Sequence, residues 1–167
     1  MNVLNHTLNW YKGEAFEASI TVGFGVLLII FGILFWKLGT TAGLKALVIP
    51  IFIVGLIIAI PGIMNTINNE KALEIVGKLQ IENKSEFIQK EIERVEGFQY
   101  LYTFTKYLAL GLFSVSLLIF FFWDNKQAQA VAIVLIILGL SGLVIDYFSK
   151  ERSEVYYQEL LNEMQNE

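Results

Sequence analysis

Four stretches of this sequence run for seventeen residues or more without an Asp, Glu, Lys or Arg, and no other feature constrains the fold as tightly. They are residues 18–36 (ASITVGFGVLLIIFGILFW), 46–63 (ALVIPIFIVGLIIAIPGI), 107–123 (YLALGLFSVSLLIFFFW) and 127–145 (QAQAVAIVLIILGLSGLVI). A helix crossing the roughly 30 Å hydrocarbon layer needs about 20 apolar residues. Each run suffices, the third with its flanking Tyr and Lys side chains reaching out to the interface. One such run fits a buried helix of a large soluble protein. Four of them in 167 residues leave too little polar chain to cover them. Composition agrees, with 55% hydrophobic residues, 17% charged residues and a mean hydropathy of +0.57.

The expected fold class is therefore an all-α integral membrane protein, with four transmembrane helices and cytoplasmic helical extensions. Its expected parts are an amphipathic interfacial helix over 1–17, a transmembrane hairpin over 18–63 and a cytoplasmic helical segment over 64–106. A second hairpin follows over 107–145, and a cytoplasmic helical tail over 146–167. Pro50 predicts a kink in span two, with a re-entrant segment as the alternative. The first run has no basic stretch before it and no small-residue cleavage site after it, so it is expected to stay as an anchor.

An even number of spans puts 1–17, 64–106 and 146–167 on one side. That side carries nine basic residues, and the other only Lys37, Lys45 and Lys126. The positive-inside rule makes the first side cytoplasmic. Trp36 and Trp123 mark one interface, and Tyr100, Tyr102, Tyr107 and Tyr147 the other. Lysine outnumbers arginine ten to two and Ile and Asn are abundant, which points to an AT-rich bacterial source and so to a bacterial inner membrane.

Each inner segment has helical periodicity. Leu4, Leu8, Tyr11 and Ala15 form one stripe, and Ala72, Leu73, Val76 and Leu79 another. Asn83 and Glu86 have capping-box spacing before a stripe of Ile88, Ile92 and Val95. The tail offers Tyr157, Leu160, Leu161 and Met164. Stripes this narrow must be buried to be stable in water. One reading is an intramolecular bundle under the membrane. The other makes Ile88, Ile92, Val95, Leu160 and Met164 an assembly or partner surface, either between copies of the chain or for a cytoplasmic protein.

Within the bilayer, close helix packing falls to small residues. Ala18, Gly25 and Gly32 repeat every seventh position in span one, as do Ala132 and Gly139 in span four. Asp146 continues the second stripe at nearly the same depth as Lys106, which suggests an ion pair pinning spans three and four. The alternative is that both side chains snorkel to water.

Chemistry is sparse. The sequence has no cysteine and one histidine, His6, without a second ligand at metal-binding spacing. No nucleotide-binding, metalloprotease or nucleophile-elbow motif occurs, so no enzyme activity, cofactor or metal is expected. A net charge of −4 argues against nucleic acid as a partner. No ionisable residue lies in the middle of a span, which counts against proton- or ion-coupled transport. Two functions remain: a homo-oligomeric regulated pore or membrane-permeability effector, or an adaptor, inhibitor or immunity-type protein that binds a partner through its cytoplasmic helices.

Overall fold

A computed structural model describes residues 3–78 and 83–165, all in helices or the short connections between them. The helices are α1 (Val3–Leu38), α2 (Ala42–Gly77), α3 (Lys84–Phe98), α4 (Tyr100–Phe122) and α5 (Lys126–Gln165). Four rods are long and apolar enough to cross a membrane: α1, α2, α3 with α4, and α5. At about 1.5 Å per residue, a 36- or 40-residue helix is roughly 55–60 Å long, well beyond the hydrocarbon thickness. The surplus gathers at one end, called the base here. The two turns at the far end are only a few residues long. Thr41 caps the first by accepting from the Leu44 amide at 3.3 Å, and Asn125 caps the second by accepting from Ala128 at 2.8 Å.

Residues 3–17 do not form a separate helix lying in the headgroup plane. They are the first turns of α1, which runs unbroken into the apolar run because only Gly13 lies between and nothing stops the ladder. Pro50 and Pro61 both lie inside a continuous α2, which does not turn back on itself as a re-entrant segment would. Gln99 alone separates α3 from α4. It has helical dihedrals, and the Tyr102 amide still donates to its carbonyl at 3.3 Å. Asn83 caps α3 by accepting from the Glu86 amide at 3.3 Å. The Glu86 carboxylate does not reach back, as a full capping box requires, but pairs with Lys90 at 2.6 Å.

The α1–α2 hairpin is held at near-backbone contact. A Cβ on Gly25 would lie 2.7 Å from the Ala59 nitrogen and 2.8 Å from the Gly55 carbonyl oxygen. One on Gly62 would meet Val22 at 2.9 Å and the Ala18 carbonyl at 3.3 Å. Gly32 faces Ile51. Approach this close maximises dispersion where the solvent supplies no hydrophobic drive. In the other hairpin the Phe113 ring lies over Gly139, and Ala132 is fully buried. Helix α5 is central, packing on α1, α2, α3 and α4, whereas α4 packs chiefly along α5. Trp36 and Trp123 are exposed at the far end, and Tyr100, Tyr107 and Tyr147 near the base. Tyr102 does not join that belt. It is buried, edge-on to Phe98, with its hydroxyl 3.3 Å from Ser149.

Candidate functional site

The base is a three-helix core built from the ends of α1 and α5 and from α3. Val3, Trp10, Ile88, Val95, Tyr156 and Leu160 are its buried members, with Ile92, Phe98 and Tyr157 packed against them. Trp10 is stacked between Phe98, at 6.0 Å, and Tyr156, at 5.3 Å. The Tyr156 hydroxyl donates to Glu91 at 2.7 Å and lies 2.8 Å from the Thr7 hydroxyl, which is wholly buried. Glu91 also takes a two-pronged bond from Arg94, whose guanidinium sits 5.1 Å above the Tyr11 ring. Burial, reinforced by the Glu91 charge, holds the Tyr156 hydroxyl well above the usual tyrosine range. His6 Nδ1 lies 2.6 Å from Glu159, and Lys84 bridges to Glu163 at 2.7 Å.

Three of the five residues read as an assembly surface are therefore interior to a single chain: Ile88, Val95 and Leu160 are fully buried. Ile92 is half-buried against them, and Met164 is exposed. Two sequence stripes are rotated from the real faces. α1 buries Val3, Thr7 and Trp10 instead of Leu4, Leu8 and Tyr11, and α5 buries Ser153, Tyr156 and Leu160 instead of Tyr157 and Met164. Leu79, placed on the second stripe, lies outside the described residues.

Where the base meets the spans, a cavity of about 390 Å³ opens between the two hairpins. Its basal end is polar. Glu14 and Glu17 of α1, Asn65 and Asn69 of α2, Thr105 of α4 and Asp146 of α5 all line it. Thr21 and Ser141 follow one turn deeper, then Ile57, Leu108, Leu112, Ile58 and Leu138. The last two also belong to an apolar cluster with Leu28, Ile51, Val54 and Val134, which stops the cavity partway along the spans. Arg152 of α5 bridges the mouth, donating to Glu14 at 2.8 Å and to Glu17. Gly13 leaves room for it, since a Cβ there would lie 3.1 Å from the arginine Cδ.

Lys106 and Asp146 are not joined. Asp146 has the Thr105 hydroxyl as its neighbour and feels Lys106 only as a nearby charge, while its second oxygen is buried without a hydrogen-bond partner. Lys106 itself is exposed. Depth matching put the two residues on one level, and they do line one shallow pocket between α4 and α5, but they are not within ion-pair distance there. Ala18, Gly25, Gly32, Ala132 and Gly139 are all buried at helix contacts. Sequence reasoning missed the matching small face of α2, Gly55, Ala59 and Gly62, which was available at near-helical spacing. It also missed the Arg152 bridge, whose partners lie 135 or more positions away.

No trio of His, Cys, Asp or Glu among the described residues is disposed to hold a metal. No family model, no curated protein and no solved structure matches this chain.

Proposed function

We propose that this chain is a membrane-permeability protein, a regulated pore held shut in the state described, with its base in the cytoplasm. The observation that carries the reading is the cavity. Polar side chains from all four spans converge on it, carboxylates gather at its mouth, and it ends against an apolar cluster. Carboxylate-lined mouths concentrate cations, and hydrophobic constrictions shut by staying dry. Four spans are too few to enclose a complete path, and the open flank of the cavity lies between α2 and α4. The proposal has a second copy of the chain closing that flank, so the working form is a homo-oligomer. A second reading, an adaptor or inhibitor, draws on the same flank, because an opening between α2 and α4 also suits a partner's membrane helix.

Potassium and chloride flux from liposomes carrying the purified protein tests the pore. The wild type should leak little. Ile58→Asn and Val54→Asn should raise potassium flux about tenfold and chloride flux far less, because wetting that cluster removes the barrier. Folded variants that leave flux at the protein-free level sink the pore. Particle mass in nanodiscs separates the two readings, since a strict monomer leaves the adaptor alone.

A further inference from the structure

The cavity between the two hairpins has two unlike ends. Three carboxylates stand at its mouth, those of Glu14, Glu17 and Asp146. Arg152 offsets one of them, and Lys106 acts on Asp146 from outside the cavity, so one negative charge is left over. The adjoining shallow pocket adds Glu151 and Glu154 against Lys150, which makes the surroundings more acidic still. Asp146 takes the Thr105 hydroxyl, yet its Oδ2 is buried without a hydrogen-bond partner. A carboxylate oxygen in that setting is costly unless a donor or a cation meets it. Deeper in, Ile57, Leu108, Leu112 and Leu138 make the wall aliphatic. Pro61, also in the wall, has no amide hydrogen to give the Ile57 carbonyl four residues back, which leaves that oxygen without its usual helical partner.

We infer that this cavity binds an amphiphilic organic cation, an ammonium head (quaternary or protonated) on a short apolar tail. The head meets the carboxylates at the mouth, with Asp146 Oδ2 as its principal partner, and the tail lies along the aliphatic walls. One surplus negative charge matches one ammonium. The volume of about 390 Å³ falls within the roughly 300–1,000 Å³ usual for small-molecule sites, which likewise join a mainly apolar lining to a few polar groups. Other occupants suit one end only. An inorganic cation gains the mouth but finds aliphatic walls beyond it, and no trio of His, Cys, Asp or Glu among the described residues is disposed to chelate one. A fatty acid gains the depth but brings its own carboxylate to an acidic mouth. The open flank between α2 and α4 lets an amphiphile enter sideways from the bilayer, where its tail already lies. The binding stands on the cavity of a single chain and does not depend on whether the chain conducts.

The full chain, purified in an uncharged maltoside detergent, is titrated by calorimetry with hexyltrimethylammonium, with the heat from empty micelles subtracted. Binding should saturate at one molecule per chain. Tetramethylammonium, the head alone, should bind more than tenfold more weakly for want of the buried methylenes. Hexanoate and hexanol, the same tail with the opposite charge or none, should also bind more than tenfold more weakly. Asp146→Asn should weaken hexyltrimethylammonium about tenfold. Glu74→Gln removes an equal charge from the exposed end of α2 and should bind like the wild type. The ligand series needs no variant, so it decides the head and the tail even if Asp146→Asn does not fold. Hexanol or hexanoate binding as tightly as the cation would make the cavity a site for any apolar tail and overturn the charge. Tetramethylammonium binding as tightly would leave a bare-cation site and overturn the amphiphile. Equal losses in the two variants, or no saturable binding, would overturn the site.

Discussion

Tyr156 carries a hydroxyl into an apolar core, and three groups respond to it: Thr7, Glu91 and the stacked ring of Trp10. Ionising that hydroxyl beside a carboxylate in a buried setting is costly, so its folded pKa lies above the ordinary value of 10.0. The sign follows from linkage. The folded state holds the proton more tightly, so the stabilisation is complete below about pH 10 and declines as pH rises further, where the unfolded chain releases its proton first. Melting midpoints in detergent between about pH 8 and 11 should fall steeply past 10 in the wild type, and less steeply in Tyr156→Phe. That variant should also lose about 1–3 kcal/mol at neutral pH through the unmatched Glu91 and Thr7. Parallel pH curves would count against this account. None of this was legible in the sequence. Thr7 is polar and so invisible to a search for apolar periodicity, and its partner lies 149 positions away.

At the scale of elements, the apolar runs were informative because bilayer thickness leaves little choice for an uncharged run of about 20 residues. The faces of the basal helices were less legible. Their stripes were drawn through Tyr11 and Tyr157, but the real faces are set by Trp10 and Tyr156, one position away on each helix, whose rings stack on each other. The glycines divide by what stands opposite them. At Gly25 the obstruction is backbone of α2, which cannot rotate away, whereas a Cβ on Gly23 would meet nothing within 4 Å. Gly25→Ala should therefore push the hairpin apart at a cost of about 1–3 kcal/mol. Gly23→Ala should change stability by less than about 0.5 kcal/mol. Chemical unfolding in mixed micelles compares them, and equal stabilities would mean that α1 and α2 do not touch as described.

At the scale of the whole molecule, orientation is the first thing to fix. Nine basic residues at the base against three at the far end predict, by the positive-inside rule, that the base faces the cytoplasm. Ser85 and Asn125 are both exposed, at opposite ends. An impermeant thiol reagent on intact cells should label Asn125→Cys and spare Ser85→Cys, and the reverse pattern would invert the topology. The cavity could not be read from the sequence, because its polar residues come singly from four helices and each looks incidental alone. The base has a further consequence, for timing. Apart from α3, it owns no chain of its own and borrows the ends of the membrane rods. During synthesis Trp10 emerges far ahead of Tyr156, and at 5–20 residues per second that gap amounts to about 7–30 s. Over that interval the Tyr156 face of the indole and the Thr7 hydroxyl stand uncovered, offered to any chaperone or protease nearby. The base closes only once the last span is in place, so a nascent chain stalled before α5 advertises its own incompleteness.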